Sequence, residues 1–199
     1  MSIDIREQLG IKGRFHLQAF DANGELYDEV DEDNVILDVG LASLAAALLL
    51  PAAPYAAADP SNNAFYAIQI GDDGALATDP MVPKVVDPAV TTGMFHELGA
   101  RVGGDPDFSS SAVVGTVPGL TNAVRCQQTF LETSYAAGDF LDATKQYLNE
   151  AMLFLGKDDD ASAAWLPFAM RTFKSIPFGP ADAVSVLIRW TFEFQRGTV

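Results

Sequence analysis

Basic residues are scarce in this chain: 12 lysines and arginines stand against 27 aspartates and glutamates, a formal net charge of -15 over 199 residues. A surface this negative repels phosphate backbones and anionic headgroups, which argues against nucleic acid and membrane as partners. Cysteine occurs once, at Cys126, so no intramolecular disulfide can form. The two histidines, His16 and His96, lie far apart and have no partner at ligand spacing, leaving zinc unsupported. Neither a phosphate-cradling glycine pattern nor a G-x-S-x-G elbow is present. The most apolar segment falls far short of the roughly 20 residues that cross a bilayer. Residues 1–7 lack the apolar centre of a leader, which predicts synthesis and first folding in a cytoplasm.

What the chain does have is apolar content: hydrophobic residues make up 49%, enough to exclude wholesale disorder and to fill a sizeable core. The length fits one domain. The expected division is an N-terminal arm over residues 1–12 and a single β-rich domain over 13–199. The acidity also suits a saline medium, in which dissolved ions screen self-repulsion.

The segment from Asn34 to Leu50 organises the rest. Leu41, Leu44 and Leu48 recur at helical spacing, Asp38 or Gly40 can start the helix, and Pro51 stops it. A core helix over about residues 38–50 is therefore expected, its leucine face against a sheet. Before it, Phe15, Leu17 and Ala19 alternate with Arg14, His16 and Gln18, the pattern of a half-buried strand. Asp21-Ala22-Asn23-Gly24 turns this strand into a return strand from Glu25 to Val30.

Further along, Tyr66, Ile68 and Ile70 alternate up to a glycine-rich turn, and Pro80, Pro83 and Pro88 imply an irregular surface course. Residues 112–117 and 124–131 read as a second hairpin, with Cys126 as a small core residue, and residues 147–155 as a strand. The last element is the clearest: Val184, Val186, Ile188, Trp190, Phe192 and Phe194 form one large apolar face, so this strand belongs well inside a sheet. The sum is a mainly β protein, an antiparallel β-sandwich or jelly-roll-like domain carrying one core helix.

No catalytic, cofactor-binding or metal-binding residue stands out. Asp31-Glu32-Asp33, Asp72-Asp73 and Asp158-Asp159-Asp160 match no calcium loop and read as solvated turn charges. Two bases in apolar surroundings are more informative. Arg101 follows Glu97 by one helical turn's spacing, and Arg171 lies in an apolar run after Glu150; Glu97, Arg101, Glu150 and Arg171 are the structural ion-pair candidates, since a buried guanidinium needs a carboxylate or several carbonyls. Tyr55, Tyr66 and Trp165 are the aromatic residues that a glycan-binding platform would use.

The order of segments resembles that of small virion proteins of tailed viruses, of the tail-fibre-like, baseplate and neck types. An N-terminal hairpin leads to an asparagine-led apolar helix (34–50), a strand ending in glycine (66–71) and a Glu/Arg segment (97–101). A Glu-Ala apolar strand (150–154), an apolar segment with arginine (168–173) and a Trp-bearing final strand (188–194) complete it. Two positions depart from the usual form: Asp72-Asp73 follow Gly71 in place of a Thr-Gly turn, and Met152 stands where glycine is common. The resemblance implies a non-enzymatic structural subunit of a virus particle, in the tail or baseplate apparatus, that forms homo-oligomers and contacts other virion proteins. A capsid-decorating or neck protein, or a module binding host glycans, is the alternative.

Overall fold

The computed structural model describes residues 9–42, 64–99, 113–116, 123–156, 166–179 and 184–196. Eleven strands are present among them: β1 (Leu9–Phe20), β2 (Leu26–Asp33), β3 (Val35–Ile36), β4 (Ala64–Gly71), β5 (Ala75–Leu76), β6 (Asp79–Pro83), β7 (Val113–Thr116), β8 (Ala123–Leu131), β9 (Tyr147–Gly156), β10 (Leu166–Pro177) and β11 (Ser185–Arg196). They form an antiparallel five-stranded sheet in the order β2-β1-β11-β8-β7, a four-stranded sheet in the order β3-β10-β9-β4, and the small β5-β6 ribbon. The protein is mainly β, as its alternating segments require.

Period-two alternation accounts for the five-stranded sheet. Phe15, Leu17 and Ala19 of β1 are fully buried, and so are Val186, Ile188, Trp190 and Phe192 of β11. β11 occupies the middle of the sheet, paired with β1 on one side and β8 on the other. The β1-β2 hairpin closes through Asp21, whose carboxylate accepts the backbone N–H groups of Asn23 at 2.8 Å and Glu25 at 2.9 Å. Gly24 supplies the positive φ, +80°, that this turn needs. Of the expected N-terminal arm, residues 1–8 lie outside the described residues, and residues 9–12 are strand, in register with residues 193–196 of β11. Their mixed composition hides this, because register with a strand at the far end of the chain leaves no local signal.

The two larger sheets pack face to face through aromatic side chains. Phe15 stacks on Phe173 of β10 with ring centroids 5.5 Å apart and meets Trp190 edge-on at 4.9 Å, while Phe168 meets Phe192 at 5.2 Å. Cys126 is fully buried in this core, and burial pushes its thiol up to about 12. The four-stranded sheet is covered on its other face as well. There Leu37, Val86, Met152, Phe154 and Met170 form a smaller second core. Cover on both faces explains why β9 and β10 read as nearly continuous apolar runs.

Residues 38–42 are helical, and the helix begins at Asp38, one of the two expected starts. Its entry is fixed by the Leu37 N–H bonded to the Phe168 carbonyl at 2.9 Å and the Asp38 N–H bonded to the Pro88 carbonyl at 3.0 Å. The expected face needs correction at its first position. Leu37 is fully buried, but Leu41 is 39% exposed. The helix touches the sheet at Gly40, where a Cβ would come within 2.6 Å of the Phe168 Cα, and Leu41 lies one residue round from that contact. Leu44 and Leu48 lie outside the described residues.

Candidate assembly surface and its buried anchor

β9 carries two polar residues, Asn149 and Glu150, into a stretch buried on both sides. Such groups have to be hydrogen-bonded from within the protein. Glu150 is fully buried and accepts three backbone N–H groups: from Asp73 at 3.3 Å and His96 at 2.8 Å on Oε1, and from Phe95 at 2.9 Å on Oε2. Burial raises its carboxyl to about 7, and the amides pull the other way; desolvation is the larger influence. Asn149 accepts the Gly74 N–H at 2.6 Å and donates to the Asp72 carbonyl and to Ser175 Oγ, both at 3.1 Å. The chain can come this close only because Gly71 has no Cβ, which would collide with the His96 carbonyl and the Glu150 side chain.

A second layer of contacts fastens the same region. Gly71 and Glu97 form an isolated antiparallel bridge, and Gln69 donates to the Leu98 carbonyl at 2.8 Å. The Asp72 side chain, only 3% exposed, pairs with His96 Nδ1 at 2.5 Å and accepts the Leu141 N–H at 2.7 Å. Lys84 Nζ reaches Asp73 at 2.5 Å and lies 4.7 Å from the centre of the Phe95 ring. Thr172 Oγ1 donates to the Lys84 carbonyl at 2.6 Å. The β4-β5 turn, the β5-β6 ribbon and the segment around residues 93–98 are thereby tied to the start of β9 and the middle of β10.

This anchor holds up an apolar surface. Along the ribbon and the chain after it, Met81 is 60% exposed, Val82 41%, Val85 89% and Val90 70%. Single exposed apolar side chains are ordinary; here four occur within ten residues of one tethered projection. The anchor can also orient an imidazole, through Asp72 and His96. Among the described residues, no group of three or more His, Cys, Asp or Glu is placed to hold a metal ion.

The ion-pair candidates separate. Arg171 pairs with Glu32 of β2 and donates from Nη1 to the Asp33 carbonyl at 3.0 Å. Glu150 takes backbone amides instead of a cation. The two are on neighbouring strands, but the register sets Glu150 opposite Thr172 and Arg171 opposite Ala151, so their side chains leave opposite faces of the sheet. Glu97 lies in the bridge to Gly71, and Arg101 falls outside the described residues. Of the aromatic platform residues, Tyr55 and Trp165 are outside the described residues, and Tyr66 is described only as backbone within β4.

Sequence reasoning missed Asp72, His96 and Asn149. Asp72 was expected as a solvated turn charge and is buried. The available signal was the Asn149-Glu150 pair interrupting an apolar strand: polar residues there demand partners. Compared with protein-family models, curated proteins and solved structures, the chain matches none.

Proposed function

We propose that this chain is a structural subunit of a tailed-virus particle, built into the tail or baseplate apparatus and joined to its neighbours by protein–protein contacts. The observation that carries the reading is the set of exposed apolar side chains Met81, Val82, Val85 and Val90 on the β5-β6 ribbon and the chain after it, which Asn149, Lys84 and Thr172 fasten to the four-stranded sheet. A projection that shows apolar side chains to water and is held by buried hydrogen bonds suits a subunit whose partner supplies the missing cover. The segment order supports it too: three of the segments behind the resemblance fall on β4, β9 and β10, neighbours in one sheet, and Glu97 bridges to the end of β4. The net charge of -15 favours protein partners over nucleic acid or lipid. In this reading the chain resides in the virion, as a homo-oligomer, and performs no catalysis.

Immunogold labelling of purified particles tests it. Gold at the tail or its tip is the expected result. Gold over the head or collar moves the subunit to a decorating or neck position, and particles without gold, with the epitope shown to be accessible, overturn the proposal.

A further inference from the structure

Among the described residues of this acid-rich chain, two arginines make no ion pair. Arg14, Lys84, Arg171 and Lys174 pair with Asp31, Asp73, Glu32 and Asp28 of the same chain. Arg125 and Arg189 instead lie diagonally across β8 and β11 on the outer face of the five-stranded sheet, where Arg189 is opposite Gln127 and Arg125 opposite Thr191. Arg189 donates to Gln18 at 2.6 Å, and the nearby Glu29 is engaged by His16 at 2.6 Å and Gln18 at 3.1 Å. Burial and then the neighbouring Arg125 lower the pKa of Arg189, against the smaller opposite pull of Glu29; a further carboxylate placed between the two arginines would offset their repulsion. At one end of the same face Leu131 is 50% exposed, beside the half-buried Leu187.

The apolar ribbon carries the opposite set of groups. Asp79 and Asp87 flank Met81 and Val85; their carboxylates cap the local backbone N–H groups of Met81 and Ala89, and neither makes an ion pair among the described residues. The ribbon lies beside β10 of the four-stranded sheet, while the two arginines are on the outer face of the other sheet. We propose that the β5-β6 ribbon of one copy docks on the outer face of the five-stranded sheet of the next, its aspartates on Arg125 and Arg189 and its apolar tip on the Leu131-Leu187 corner. This rests on the reading of the chain as an assembly subunit and gives that subunit its contact. Because the two patches lie on opposite sides of the sandwich, on the outer faces of different sheets, one copy cannot offer both to the same neighbour; the contact is head-to-tail, and repeated docking generates a ring or a filament.

Two double variants and their mixture test it: Arg125→Glu with Arg189→Glu on the face, and Met81→Asp with Val85→Asp on the ribbon. All four positions lie at or near the surface, and circular dichroism verifies that each variant folds. Light scattering of the full chain at about 0.5 M salt, where repulsion between acidic copies is screened, reads the mass. The expected result is an assembly larger than a dimer for the parent protein, association weakened roughly tenfold or more in each variant, and a one-to-one dimer when the two are mixed, from the one intact ribbon and the one intact face. A monomeric parent, a parent that stops at a dimer, or assembly unaffected by either variant overturns the contact. Immunogold labelling reads the virion role separately: a monomer found at the tail loses this contact and keeps the role, whereas an assembling chain found on no particle keeps the contact and loses the role.

Discussion

Glu150 concentrates the physics of the site in one side chain. Its carboxyl is raised from an ordinary 4.5 to about 7 by burial, so the native state favours the protonated form. The stability that this contributes is whole below the unfolded value and is lost as pH rises through about 7. Glutamine cannot ionise. In Glu150→Gln the fall in stability between about pH 5 and about pH 8 should shrink by up to about 3 kcal/mol relative to the parent, read by urea unfolding at both values. An identical slope in the two proteins counts against the assignment. Glu150→Ala is expected to be weaker than Glu150→Gln at both pH values, because it leaves the amides of Asp73, Phe95 and His96 without an acceptor.

At the scale of elements, the turn after β4 depends on the absence of a side chain at Gly71. Gly71→Ala drives a methyl group into the His96 carbonyl and the Glu150 side chain, and a loss of about 1–3 kcal/mol is expected in thermal unfolding. A change within experimental error would mean that the turn moves aside easily and the ribbon is loosely held. The sequence showed where this turn falls but not that Asp72 is buried in it, whereas β1 and β11 were legible in both position and burial. A strand with one face buried writes that face into every second residue, as Phe15, Leu17 and Ala19 do. β9 and β10, covered on both faces, lose the alternation, so their extent is readable but their register is not. Register is what separates Glu150 from Arg171. The ribbon was obscured for another reason: Pro80 and Pro83 lie within β6, where a two-stranded edge tolerates residues that a central strand rejects. Leu41 failed as a core residue because the close helix-to-sheet contact falls on Gly40, which helical spacing alone does not single out.

For the molecule as a whole, charge is the dominant unbalanced quantity. Exposed pairs such as Arg14 with Asp31 contribute little, while the net charge of -15 acts over the whole surface. Raising salt from about 0.02 M to about 0.5 M should therefore increase the unfolding temperature by several degrees, since screening relieves more repulsion than it removes attraction. A midpoint that falls with salt would show the local pairs to be the larger effect. The position of β11 has a consequence for how the protein is made. Its place between β1 and β8 is vacant until residues 185–196 have been made, long after β1, and until then the apolar face of β1 lacks its neighbour. Chain closure is thus a late, long-range event. A nascent chain cut short before β11 leaves Phe15 without Trp190 and Phe168 without Phe192, so those rings stay open to chaperones and proteases until the strand arrives.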